Sequence, residues 1–285
     1  MRLLVAESES PSEREERRKT AGRSSGEAYV DTLKEIVPAA SCDLVRPAED
    51  GAAPPGHMAL ESYDGILLTG SPLHVYDDTP EVRRQIEFMR DVFASGTPSF
   101  GSCAGLQVAV AAAGGTVGKN PRGHEVAFAR RITPTAAGRM HPFLAGRPAS
   151  YDALALHSDQ VVQLPEAATH LATNGLTAIQ AAEVRQGPGT FWGVQYHPEL
   201  PLSDIAAAVR RQSSTLVEQG LVRDAAEAER YASLIDSLHD EPERPDLAWR
   251  LGVDRQVTNS AIRQMELRNF MRYLVEPMRS NRSRA

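Results

Sequence analysis

The chain has few cysteines, no long apolar run and no excess of basic residues. Two cysteines among 285 residues do not make a disulfide framework, so we expect a reduced, cytoplasmic protein. The longest apolar stretch, 108–113, is far too short to cross a membrane. The N-terminal apolar residues turn acidic at Glu7, too early for a signal peptide. The net charge of -6 gives no support for nucleic-acid binding.

The first 115 residues alternate short apolar runs with amphipathic stretches. This alternation predicts a parallel sheet with helices on both faces. The predicted strands cover 3–6, 42–45, 63–69 and 97–101, and the predicted helices cover 27–37, 80–94 and 106–113. Short β-type runs follow, with a last strand at 191–196. The remainder is helical, with predicted helices at 205–219, 225–238 and 254–278. We therefore expect an α/β domain at 1–200 and an all-helical extension at 201–285.

Two segments lie outside this α/β pattern. Residues 8–26 are polar, with interleaved acidic and basic side chains, and they predict an inserted loop at the carboxyl edge of the sheet. Such a loop covers the site at that edge or shapes one side of it, and its arginines offer charges for a carboxylate or an acidic partner: Arg14, Arg17, Arg18 and Arg23. The helices of 201–285 are amphipathic and must pack on the core or on a partner, such as a second copy of the chain.

Cys103 lies in the sequence Gly-Ser-Cys-Ala-Gly-Leu-Gln, residues 101–107, between a predicted strand and a predicted helix. Small neighbours permit a tight turn that lifts the side chain clear of the sheet. The positive end of the following helix stabilises a thiolate. A cysteine in such a place, taken alone, is more often a small buried residue. The pattern predicts a nucleophile if a base lies nearby.

His197 is the best partner for Cys103. It ends the last predicted strand, and Glu199 follows two residues later, so that both side chains point the same way in extended chain. A carboxylate beside an imidazole fixes the tautomer and stabilises the imidazolium. Both motifs lie at carboxyl ends of strands, where open α/β sheets keep their active sites. The sequence thus predicts a nucleophile, a base and an orienting carboxylate.

These motifs resemble the signatures of class I glutamine amidotransferases. Residues 101–107 look like the G-x-C-x-G-x-Q nucleophile turn of that family, and Val-Gln-Tyr-His-Pro-Glu at 194–199 resembles its second signature. Thr-Gly-Ser-Pro at 69–72, followed by Val-Tyr-Asp-Asp at 75–78, is similar to the oxyanion loop of the GMP-synthase-like branch. The resemblance covers residues 3–200 and implies a flavodoxin-like three-layer α/β/α sandwich.

The resemblance also implies roles for individual residues. Cys103 would attack the γ-amide carbonyl of glutamine, His197 would protonate the leaving ammonia, and Glu199 would hold His197. The backbone N–H groups of Ser71 and Ala104 would bind the oxyanion. Ser71 stands where the family commonly has glycine, and it can serve unless the position requires a positive φ. The substrate pocket would include Gly70, Gln107, His157, Ser158 and Asp159.

Three functions are compatible with this resemblance. The first is hydrolysis of the γ-amide of glutamine through a γ-glutamyl thioester on Cys103, with a separate synthetase as one destination of the ammonia. The second is hydrolysis of γ-glutamyl conjugates of small amines, which a roomier and more apolar leaving-group side would favour. The third is a non-catalytic regulatory subunit, against which the intact triad argues. The sequence shows no metal-ligand spacing and no Walker-type loop, so we expect no cofactor and no synthesis of GMP by this chain alone.

Overall fold

A nine-stranded sheet forms the centre of the protein in the computed structural model, which describes residues 1–282. The strands are β1 (Arg2–Ala6), β2 (Ser41–Val45), β3 (Gly65–Leu68), β4 (Ser99–Ser102), β5 (Thr116–Lys119), β6 (Glu125–Pro134), β7 (Tyr151–His157), β8 (Asp159–Gln163), β9 (Ala168–Thr173), β10 (Ala181–Gln186) and β11 (Gly189–Val194). Their order in the sheet is β2-β1-β3-β4-β11-β10-β9-β6-β7, and β5 pairs with β8 in a separate ribbon. Neighbours from β2 to β11 are parallel, and those from β11 to β7 are antiparallel.

Helices cover both faces of the sheet. They are α1 (Pro11–Ala21), α2 (Ser25–Ile36), α3 (His57–Leu60), α4 (Pro80–Ser95), α5 (Ala104–Ala112), α6 (Ala136–Met140), α7 (Leu202–Arg211), α8 (Ser213–Glu218), α9 (Ala225–Asp240), α10 (Pro245–Leu251), α11 (Arg255–Thr258), α12 (Ser260–Arg263), α13 (Met265–Phe270) and α14 (Glu276–Arg282). Short 3-10 turns lie at Val75–Asp77 and Pro142–Leu144, and a π-helical turn lies at Met271–Val275.

The apolar strands explain the layered arrangement. Every residue of β3, Gly-Ile-Leu-Leu, is buried, as a parallel strand covered on both faces requires. One face packs against α2 and the π-helical turn, through residues such as Leu33 and Met271. The other face packs against α4 and α5, through residues such as Phe88 and Leu106. The three-layer α/β/α sandwich with a helical C-terminal region is therefore confirmed.

Residues 8–26 contain a helix, and the prediction of a loop was wrong. Ser10 and Glu13 form a capping box at the start of α1, Pro11 occupies its first turn, and Gly22 ends it in the left-handed conformation. Glu15 and Lys19 form an ion pair one turn apart at 3.0 Å. Local capping and tertiary ion pairs thus order a segment whose polarity alone suggested a solvated loop.

The C-terminal region packs against the α/β core within residues 1–282. Helix α7 lies against β6 and β7, helix α9 packs on α7, and both helices share a cluster with Phe128 and Leu154. Phe270 reaches the central sheet, with its ring centroid 5.6 Å from that of Phe100. The helix predicted over 254–278 is instead broken into short segments, because Asn259 caps a new turn at α12. The division at residue 200 stays a prediction, and the last three residues of 201–285 lie outside the described residues.

Within residues 1–282, no helix combines the length and the apolar character that crossing a membrane would require.

Candidate active site

Cys103 occupies a strained turn between β4 and α5. Its backbone has φ 54° and ψ −112°, a left-handed φ that a non-glycine residue seldom adopts. The Cys103 N–H donates to the carbonyl of Val194 in β11 at 2.8 Å, which fixes the turn to the sheet. A Cβ on Gly105 would lie 2.6 Å from the Leu68 carbonyl oxygen, so only glycine lets the helix approach β3 this closely. The surrounding backbone therefore fixes the position of the Cys103 thiol on its turn.

His197 and Glu199 form a buried pair beside Cys103. His197 Nδ1 lies 2.7 Å from Glu199 Oε1, which leaves Nε2 as the ring nitrogen for Cys103. Burial of the imidazole opposes its protonation, but the Glu199 carboxylate and hydrogen bonding with Cys103 outweigh it and raise the pKa of His197 to about 10. A Cβ on Gly70 would lie 2.9 Å from His197 Cε1, so glycine is needed there. The three predicted catalytic residues are brought together.

A relay of hydroxyl groups holds Glu199, and the sequence analysis did not identify it. Ser102 Oγ donates to Glu199 Oε1 at 2.9 Å, and Tyr29 OH lies 2.5 Å from Ser102 Oγ. Because the single hydroxyl proton of Ser102 goes to Glu199, Tyr29 is the donor of the second bond. Thr32 Oγ1 also donates to the Glu199 carbonyl at 3.0 Å. The only signal in the sequence was a serine next to Cys103.

Two cavities meet at Cys103. The first, of about 290 Å³, is called the Gln107 cavity, and the second, of about 220 Å³, is called the His197 cavity. Residues lining the Gln107 cavity include Ser71, His74, Cys103, Gln107, Leu156, His157, Ser158, Asp159, Gln212 and Thr215. Residues lining the His197 cavity include Glu9, Arg17, Ser25, Gly70, Ser71, Pro72, Cys103, Leu156, His197, Glu199, Leu200, Arg211 and Gln212.

The Gln107 cavity contains four residues that the resemblance assigned to the substrate pocket: Gln107, His157, Ser158 and Asp159. The Asp159 carboxylate accepts from His74 Nδ1 at 2.5 Å and from Tyr76 OH at 3.3 Å. Both nitrogens of His157 are engaged, one with the Asp159 carbonyl at 2.9 Å and the other with Glu125 at 3.0 Å. Asp159 supplies the carboxylate in the lining of this cavity, and His157 holds its backbone carbonyl.

The His197 cavity is lined by charged residues from α1 and the end of α7. Arg17 lies 3.6 Å from Glu9 and 2.9 Å from Asp204, so it joins both carboxylates. Burial raises the pKa of the Glu9 carboxyl, although Arg17 opposes this. The other three arginines of residues 8–26 do not line this cavity, because they pair with acids of this chain: Arg14 with Glu7 and Glu49, Arg18 with Glu27, and Arg23 with Asp31 and Asp204.

The predicted oxyanion donors lie on either side of Cys103. Ala104 begins α5, where backbone N–H groups have no partner within the helix. Ser71 lines both cavities. Among residues 1–282, the non-glycine residues with positive φ are Asp78, Cys103, Ala127 and Arg131. Ser71 is not one of them, so serine meets the backbone requirement at that position.

A larger cavity, of about 860 Å³, lies elsewhere, between β6 and helices α8 and α9. It contains neither Cys103 nor His197, and its walls include Phe128, Arg130 and Tyr231. The described part of the chain contains no group of three or more His, Cys, Asp or Glu residues placed to hold a metal ion. Cys103 and His197 together offer thiol addition with proton transfer by an imidazole.

Comparison with known proteins identifies one matching family and several relatives. The family described as glutamine amidotransferase class-I matches residues 27–213. A γ-glutamyl-L-1-hydroxyisopropylamide hydrolase of Pseudomonas sp is 36% identical over 283 residues, covering 97% of this chain and 94% of the relative. A glutamine-hydrolysing GMP synthase of Thermomicrobium roseum is 31% identical over 173 residues, which is 60% of this chain but only 29% of that protein.

A solved glutamine amidotransferase from Thermotoga maritima has the same fold, with a TM-score of 0.66 at 16% sequence identity over 97% of this chain and 98% of that one. The family match, the relative that covers nearly the whole chain and the arrangement of Cys103, His197 and Glu199 agree with one another. The chain belongs to the class I glutamine amidotransferase family and is an amide-hydrolysing enzyme.

Proposed function

We propose that the chain hydrolyses γ-glutamyl amides of small organic amines, with Cys103 as the nucleophile. The Cys103 thiol gives its proton to His197 while its sulfur attacks the γ-carbonyl carbon, and the C–N bond breaks as His197 passes that proton to the leaving nitrogen. Water then attacks the γ-glutamyl thioester, His197 takes a proton from the water, and this proton returns to the sulfur as glutamate leaves. Glu199 holds His197 throughout. The N–H groups of Ser71 and Ala104 stabilise the oxyanion in both steps.

The two cavities divide the substrate between them. A general acid must reach the leaving nitrogen, and His197 lines the His197 cavity but not the Gln107 cavity. The amine therefore occupies the His197 cavity, and the glutamyl group occupies the Gln107 cavity. There the Asp159 carboxylate faces the α-ammonium group of the substrate. Gln107 completes the wall beside Cys103 and is held by a bond from its Nε2 to Gln195 Oε1 at 3.1 Å.

The volume of the His197 cavity is the observation that carries the choice of an organic amine. A group the size of ammonia needs roughly 30 Å³, whereas this cavity offers about 220 Å³. Pro72, Leu156 and Leu200 supply an apolar surface for a hydrocarbon part. The relative from Pseudomonas sp, which matches almost the whole chain, has a γ-glutamyl amide of an organic amine in its name.

Glutamine itself is the second candidate substrate. The match to glutamine-hydrolysing GMP synthase supports it, and the ammonia would then pass to a separate synthetase. Both candidates use the same thioester, so only the leaving group separates them. The acyl half of the site cannot discriminate between them because the γ-glutamyl group is identical.

A panel of substrates tests the proposal. Glutamate release is measured from glutamine and from γ-glutamyl amides of ethylamine, isopropylamine and 2-aminopropan-1-ol, using the purified full chain. We expect a higher kcat/KM for at least one organic amide than for glutamine. Cys103→Ala should lower every rate by at least about 10³-fold while the protein stays folded. Preferred cleavage of glutamine, or activity that survives in Cys103→Ala, would contradict the proposal.

A further inference from the structure

The end of α7 lies over the junction of the two cavities. Gln212, the residue that follows α7, lines both of them, and Arg211 lines only the His197 cavity. The Gln212 N–H donates to the Ala208 carbonyl at 3.0 Å, so the residue caps α7 where the chain bends into α8. Its side chain is therefore presented to the cavities from a fixed point on the backbone.

Gln212 Oε1 is a buried acceptor without a donor among the described residues. Buried polar atoms nearly always have a hydrogen-bond partner, and a lone one calls for an explanation. The atom belongs to a residue that lines the space where the leaving amine is placed by the proposed function. A donor on the leaving group would satisfy it, and a hydroxyl group is such a donor.

The acids around the His197 cavity argue against a cationic leaving group. Glu9 pairs with Arg17, and Glu199 pairs with His197. Each acid in the cavity wall therefore already has a basic partner. Arg211, which lies in the same wall, donates to Thr20 Oγ1 at 3.1 Å. A carboxylate on the amine would also offer no proton to Gln212 Oε1.

We infer, building on the proposed function, that Gln212 Oε1 accepts a hydrogen bond from the hydroxyl of an amino-alcohol leaving group, such as the hydroxylated amine in the name of the relative from Pseudomonas sp. Pro72, Leu156 and Leu200 contact its hydrocarbon part. Gln212 is thus a specificity-determining residue on the amine side of the scissile bond. It takes no part in the proton transfers, which belong to His197.

The test compares γ-glutamyl amides of 2-aminopropan-1-ol and of isopropylamine, which differ by one hydroxyl group. We expect the wild-type chain to favour the hydroxylated amide in kcat/KM by roughly 5- to 150-fold. Gln212→Leu should reduce the preference to within about 2-fold, mainly by slowing the hydroxylated substrate. Gln212→Glu retains an acceptor oxygen and should keep most of the preference. Ser214→Ala, an exposed change on the same helical turn, is the matched control and should behave as wild type.

The outcomes separate this inference from the function on which it rests. Equal cleavage of both amides by the wild-type chain, or an unchanged preference in folded Gln212→Leu, overturns the inference and leaves amide hydrolysis standing. A preference for γ-glutamyl-alanine that disappears in Arg211→Gln also overturns it, in favour of an anionic leaving group. Failure of the folded wild-type chain to cleave any organic amide overturns the proposed function together with the inference.

Discussion

The Gln107 cavity and the His197 cavity share Cys103 but are built from different parts of the chain. The first is lined mainly by residues of the family motifs, such as Gln107 and Asp159. The second draws Glu9 and Arg17 from the N-terminal segment, which lies before the matched family span of 27–213. Arg211 and Gln212 come from the end of that span. Under the proposed function, the γ-glutamyl group is bound mainly by residues of the family motifs, whereas the amine also meets segments before and at the end of the matched span.

The largest effect that separates the two cavities is expected for Asp159→Asn. Loss of the carboxylate removes the ionic partner of the substrate α-ammonium group, so kcat/KM should fall by about 10²-fold. The factor should be the same for glutamine and for every organic amide, because all share the glutamyl group. The measurement is kcat/KM across the substrate panel.

Asp77→Asn is the matched control for this change, since Asp77 is an exposed carboxylate on the neighbouring loop. It should leave every rate near wild type. A factor that depends on the amine would show that Asp159 acts on both sides of the scissile bond and would break the division between the cavities.

A smaller effect, common to both cavities, is expected for Ser102→Ala. The change removes the donor that holds Glu199 Oε1 and should lower kcat by roughly 10-fold with KM within about 2-fold. Tyr29→Phe removes only the outer bond of the relay and should cost less. Ser99→Ala, a buried serine on the same strand, serves as the control. A rise in KM without a fall in kcat would contradict a positioning role.

The chemistry of the site was predictable because its residues lie in short motifs at strand ends. The parallel sheet alone brings together the strand ends that carry Cys103, His197 and Glu199. The alternating apolar runs predicted that sheet. The Tyr29–Ser102–Glu199 relay could not be predicted, because it joins residues 73 and 97 positions apart through side-chain contacts. Register and packing decide such contacts, and a sequence pattern does not encode them.

Helix α1 was missed for a different reason. The capping box of Ser10 and Glu13 was visible in the sequence, but the polarity of the segment outweighed it. Its stability depends on tertiary ion pairs, such as Arg17 with Asp204 at 2.9 Å, which is 187 residues away in sequence. The amine side of the site was therefore the part that sequence reasoning described least well.

The charge on His197 offers a third test of the comparison between the two cavities, because His197 lines only one of them. The pKa of His197 is about 10 in the folded protein, against an ordinary value of 6.5. Between pH 6.5 and pH 10, the folded state therefore binds one more proton than the unfolded state. The resulting stability is fully present below pH 6.5 and is lost as the pH rises toward 10. The free energy of unfolding of the wild-type chain exceeds that of His197→Gln by an amount that we expect to fall by about 1.4 kcal/mol per pH unit over this range. Urea unfolding of both proteins at pH 7, 8 and 9 measures it, and a constant difference would contradict the shift.

The smallest change in activity is expected for Arg17→Gln, which alters only the wall of the His197 cavity. Two largely buried carboxylates, Glu9 and Asp204, lose their shared partner, so the free energy of unfolding should fall by roughly 1–2 kcal/mol and Tm by about 3–6 °C. Preference among organic amines should shift by about 3-fold, while KM for glutamine stays near wild type. Arg18→Gln removes an exposed pair on the same helix and should change neither quantity measurably. An equal rise in KM for all substrates would show that α1 supports both cavities alike. The γ-glutamyl group and the amine would then not be bound by separate parts of the chain.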